Sequence, residues 1–143
     1  MKRTILVAMT VVGLAAASSA PGAAAGPNGD PAVTPPLKVK ISTKDGTSKI
    51  NVAKKVQVLT SCSVSCKMTA KVAIVSKGDS LKHTFKTGLK PNVLFRPGFL
   101  MSAAGLAFLK DNYKVSRFSI TVLAVDVATG KTVKKSRSYG FKR

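Results

Sequence analysis

The sequence predicts an all-β fold: an antiparallel β-sandwich of about seven short strands, with one short helix before the penultimate strand. Three observations predict it. Apolar and polar side chains alternate through stretch after stretch, as half-buried strands require. Turn signals built on Gly, Pro, Asp and Asn recur about every 10 residues. Two cysteines, Cys62 and Cys66, stand between two strand-like runs. A small barrel is the alternative that fits the same pattern.

Residues 1–25 read as a secretory signal peptide. Lys2 and Arg3 make a positive start, Ile5 to Ala17 is apolar, and small residues follow before Pro21. Small residues at −3 and −1 fit cleavage after Ala25 or after Ala17. The apolar run is too short for a transmembrane anchor. Residues 26–36 form a Gly/Pro-rich linker, expected to be flexible or extended. The folded domain is then expected over residues 37–143.

Leu37-Lys38-Val39-Lys40-Ile41 alternates strictly, a strand with a wet lysine face. Lys44-Asp45-Gly46-Thr47 is a turn, and Ile50 with Val52 marks a short further strand. Val56, Val58 and Thr60 share one face of a strand. Met68, Ala70, Val72 and Ile74 share a face of the next, with Lys67, Thr69, Lys71 and Ala73 opposite. These two runs are expected to be adjacent antiparallel strands. Lys77-Gly78-Asp79-Ser80 turns the chain into Leu81 to Lys86, where His83 falls on the apolar side as a partly buried residue. Residues 87–92 read as a loop and Val93 to Phe95 as a short strand.

At Ser102 the period changes. Ser102 is a candidate N-cap for a helix over 102–110, with Leu106 and Leu109 on one side. Val115 to Val127 is the longest strand signal. Its second face turns apolar toward the end, as in a central strand covered on both sides. Ala128-Thr129-Gly130-Lys131 turns it back. In the final strand, Lys135 and Arg137 share parity with Val133, Tyr139 and Phe141, which fits a charge-blunted edge.

An exported chain with two cysteines is expected to pair them, here as a local clip on a hairpin closing a loop of about five residues. Catalytic patterns are missing. His83 is the single histidine, there is no glutamate, and no Gly-x-Ser-x-Gly elbow occurs. Thr129-Gly130-Lys131-Thr132 resembles the end of a phosphate-binding loop. Val125 occupies the position where that loop needs its first glycine, so the motif fails. No cofactor and no metal site is expected.

The charge is the strongest functional signal. After residue 25 the chain carries 22 Lys+Arg (24 less Lys2 and Arg3) against 5 Asp, a net charge near +17. Such a surface attracts polyanions. Candidate contacts are Lys38, Lys40, Lys67, Lys71, Lys82 and Lys86 on outward strand positions. A second group is Lys131, Lys134, Lys135, Arg137, Lys142 and Arg143 near the C-terminus. Few aromatics accompany them, so contact without base readout is expected.

Three stretches carry a resemblance: Val56 to Val75 around Cys62-Ser63-Val64-Ser65-Cys66, Leu100 to Leu109, and Val122 to Lys131. Over roughly residues 37–141 the chain resembles the immunoglobulin-like β-sandwich domains of exported proteins from high-GC Gram-positive bacteria. The resemblance implies an accessory module without an active site. The chain departs from that family in being so basic. The expected function is a secreted, non-catalytic binding or adhesion module at the cell envelope. Its basic surface would contact teichoic acid, lipopolysaccharide or nucleic acid rather than a small-molecule substrate. Two alternatives remain open: a structural module without ligand, and a small secreted enzyme or enzyme inhibitor using a loop such as Leu89–Gly98.

Overall fold

A computed structural model describes residues 35–143. The expected signal peptide, and all of the linker before residue 35, lie outside the described residues. The fold is mostly β with one short helix. In chain order the elements are β1 (Val39–Ser42), β2 (Lys49–Asn51), β3 (Lys55–Gln57), β4 (Leu59–Cys62), β5 (Cys66–Ser76), β6 (Asp79–Leu89) and β7 (Gly98–Leu100). They are followed by α1 (Ala103–Asn112), β8 (Arg117–Asp126) and β9 (Thr132–Lys142).

The larger sheet has the order β2-β9-β8-β5-β6. Its four long strands come from the four cleanest alternating stretches of sequence. β5 and β6 form a hairpin through Lys77 and Gly78, both at positive φ (44° and 83°), the geometry of a two-residue turn that matches strand twist. β8 sits between β5 and β9 and is central, as expected. It is covered on one face only, because Leu123 on the other face is 41% exposed. The short β2 runs parallel to the end of β9, an exception to the expected antiparallel pattern. β9 is therefore flanked on both sides only at Gly140, where the β8 pairing ends and the β2 pairing begins.

The smaller layer contains β1 paired with β4 and β3 paired with β7. Residues 55–60 run antiparallel to 95–100 in one continuous register: Val56 faces Phe99, Val58 takes the carbonyl of Pro97 at 3.1 Å, and Thr60 bridges Phe95. Pro97 has no N–H to return, which interrupts this ladder. The expected strand over Val93 to Phe95 is thus reduced to the single Phe95 bridge. The expected loop over 87–92 is shortened, since β6 continues to Leu89, opposite Cys66.

One core joins the layers. Val39, Ile41, Val56, Val58 and Phe99 from the smaller layer meet Met68, Val72, Phe118, Ile120 and Val122 from the larger. Thr60 Oγ1 lies 3.5 Å from Met68 Sδ, and the rings of Phe99 and Phe118 pack edge to face at 6.2 Å. α1 crosses between β7 and β8, buries Leu109, and begins at Ser102, whose side chain accepts the Gly105 N–H at 3.1 Å.

The cysteines require a correction. Cys62 and Cys66 are disulfide-bonded, with Cα atoms 6.4 Å apart. The strands they end do not pair with each other. β4 pairs with β1, while β5 pairs with β6 and β8. The connection is an arch that carries the chain from one layer to the other, and the bond clips that arch instead of a hairpin. Parity could not tell the two apart: a hairpin and an arch leave the same residues buried.

Candidate functional site

Residues opposite each other in neighbouring strands share a face, so register determines what the larger sheet shows to solvent. Reading across β6, β5, β8 and β9, its outer rows are Gly88-Lys67-Val125-Thr132, then Lys86-Thr69-Leu123-Lys134, then Thr84-Lys71-Thr121-Ser136. Next come Lys82-Ala73-Ser119-Ser138, and finally Ser80-Val75-Arg117-Gly140 with Lys49 of β2 beyond. Lys142 continues the outward parity of β9. Eight cations therefore stand on this face: Lys49, Lys67, Lys71, Lys82, Lys86, Arg117, Lys134 and Lys142.

No carboxylate shares the face among the described residues. Asp79 and Asp126 pair with Ser76 and Cys66 on the opposite parity, Asp111 is in α1, and Asp45 is in the turn after β1. No aromatic residue occurs in these outer rows. Between the cations lie hydroxyls, of which Thr121 and Ser136 hydrogen-bond each other at 3.0 Å, and the aliphatic Val125, Leu123, Ala73 and Val75.

The twelve cations expected to contact polyanions thus divide. Lys67, Lys71, Lys82, Lys86, Lys134 and Lys142 converge on the outer face. Lys38 and Lys40 are exposed beside and within β1, in the smaller layer. Lys131 lies in the β8–β9 turn and Arg143 follows β9. Lys135 and Arg137 point to the core side of β9, opposite Val122 and Ile120. Lys135 Nζ donates to the Val39 carbonyl at 2.9 Å, fastening β9 to the smaller layer. The sequence matches no protein-family model and no curated protein.

Two cations on this face escaped the sequence reading. Arg117 stands at the outward parity of β8, a signal that was available. A Cβ on Gly140 would lie 2.6 Å from Arg117 Nη1, so the missing side chain of Gly140 makes room for the guanidinium. Lys49 reaches the same row only through the parallel β2–β9 pairing, which local sequence does not announce.

His83 also needs correction. Its parity is that of the apolar side, opposite Val72, yet it is exposed because β6 is the edge strand. Its ring packs edge-on against Phe85 at 4.6 Å, and Phe85 against Phe95. A small apolar cavity under α1 is lined by Ile74, Ser76, Met101, Gly105, Phe108 and Leu109, a set that does not include His83.

Asp126 serves the β8–β9 turn. Burial pushes its carboxyl pKa up. The Ala128 amide, the Thr129 hydroxyl and amide, and the charge of Lys131 outweigh this and hold it below the usual carboxylate value. Its Oδ1 accepts the Ala128 amide at 2.8 Å and the Thr129 amide at 3.3 Å. Among the described residues, no group of three His, Cys, Asp or Glu side chains is placed to hold a metal ion, and no helix is long and apolar enough to cross a membrane.

Proposed function

We propose that this protein is a secreted, non-catalytic binding module of the immunoglobulin-like β-sandwich type, which holds anionic polymers of the cell envelope. Teichoic acid, lipopolysaccharide and nucleic acid share the phosphate chemistry it would recognise. The observation that carries the reading is the outer face of the larger sheet, where eight cations are displayed without a carboxylate among them. Such a surface concentrates polyanions from solution and releases their counterions on contact. The two strand layers sharing one core, and the helix before β8, support the sandwich assignment. The export signal in the sequence supports the location.

The test is binding of the mature protein to teichoic acid, heparin and DNA across a salt series. Affinity is expected to fall steeply between about 50 and 200 mM salt. No binding at about 50 mM, or binding indifferent to salt, would sink the proposal.

A further inference from the structure

We infer that the ligand is a linear phosphodiester chain lying along the β5–β6 hairpin, with one phosphate at each step of a ladder formed by Lys67, Lys86, Lys71 and Lys82. The inference rests on the polyanion reading and specifies the shape and chemistry of the polyanion. Along the hairpin, each successive outer row contributes one lysine, and the strand that supplies it alternates. Lys67 of β5 faces Gly88, Lys86 of β6 faces Thr69, Lys71 of β5 faces Thr84, and Lys82 of β6 faces Ala73. Every partner across the ladder is small or hydroxylated.

Outer rows of an antiparallel sheet recur about every 6.8 Å along the strands, and neighbouring strands lie about 4.8 Å apart. The four ammonium groups therefore run in single file. Each strand of a stacked duplex offers a phosphate about every 3.4 Å along its axis, half the ladder's period. An unstacked, extended chain opens that spacing toward the period of the ladder.

The rest of the face argues against a membrane plane as the ligand. A flat lipid surface is matched best by charge spread over both dimensions. Here the column beside the ladder, on β8, reads Val125, Leu123, Thr121 and Ser119, and gains a charge only at Arg117. Four of the eight cations form a line bordered by a neutral, partly hydroxylated band, and the other four, Lys134, Lys142, Arg117 and Lys49, lie across or at the end of that band. The absence of aromatics from these rows leaves bases nothing to stack on, so the chain is held by its phosphates.

Fluorescence anisotropy of the mature protein decides the matter. Two labelled probes of equal length are needed: an oligothymidylate and an abasic phosphodiester oligomer. Each phosphate neutralised on a single strand adds about −0.7 to the slope of log affinity against log salt. Replacing the ladder lysines together (Lys67→Gln, Lys71→Gln, Lys82→Gln, Lys86→Gln) should flatten the slope by about 2.8. A variant of equal charge loss away from that face (Lys44→Gln, Lys54→Gln, Lys55→Gln, Lys114→Gln) should leave it unchanged. All eight side chains are exposed, and circular dichroism checks that both variants fold.

The two oligomers should bind alike. Equal flattening in both variants would overturn the ladder and leave the proposed function standing. Thymidylate binding well above the abasic chain would overturn the phosphodiester assignment. Tighter capture by anionic phospholipid vesicles than by either oligomer would overturn the linear ligand. A wild-type protein that binds no polyanion at all would overturn the underlying function with it.

Discussion

Gly98 shows how much one missing methyl group can decide. A Cβ there would collide with the Val56 carbonyl and with Gln57, because β3 and β7 approach closely at this point. Gly98→Ala must push backbone apart, and chemical denaturation should show a loss of about 1–3 kcal/mol. Gly88→Ala, at a position with open space around it, is the matched control and should lose less. Asp126 makes the second residue-scale prediction. Its folded pKa is depressed, so the unfolded chain takes up the proton first as pH falls. The stability it adds is complete above its unfolded pKa, about 4, and is lost as pH drops through the lower folded value. Asp126→Asn should therefore lower the melting temperature at neutral pH and make little difference in strong acid. An equal loss at both extremes would contradict this account.

At the scale of elements, the arch from β4 to β5 draws the next prediction. Its disulfide encloses about five residues, so chain entropy credits it with about 2 kcal/mol. Both strands keep their own partners without it. Unfolding under reducing conditions should show an unfolding free energy lowered by that amount and an unchanged far-ultraviolet spectrum of the folded protein. Collapse of the β-sheet signal would mean that the arch holds the layers together. Strand positions were legible in the sequence because burial alternates residue by residue, and β5 keeps that alternation without a break from Cys66 to Ser76. The helix was legible from its change of period and its Ser102 cap. Pairing partners were not legible, since parity says which side of a strand is buried and nothing about which strand lies beside it. The arch was mistaken for a hairpin for that reason, and His83 was expected to be partly buried because its strand was not known to be an edge.

For the whole molecule, composition alone made the protein a candidate for polyanion contact, and it is the topology that sorts the cations. Six of the twelve expected contacts reach one face only because β5, β6, β8 and β9 lie side by side in a common register. Lys135 and Arg137 leave the set because their parity on β9 puts them on the other face of the sheet, where Arg137 is nonetheless exposed. The parallel pairing of β2 with β9 has a consequence for how the protein is made. Ile50 finds its strand neighbour in Phe141, near the opposite end of the chain. A polypeptide that emerges N-terminus first carries β2 without a partner until Gly140 to Lys142 have been delivered. Native closure thus waits until Gly140 to Lys142 have been made, and until then the domain stays incomplete, with non-local contacts still to form.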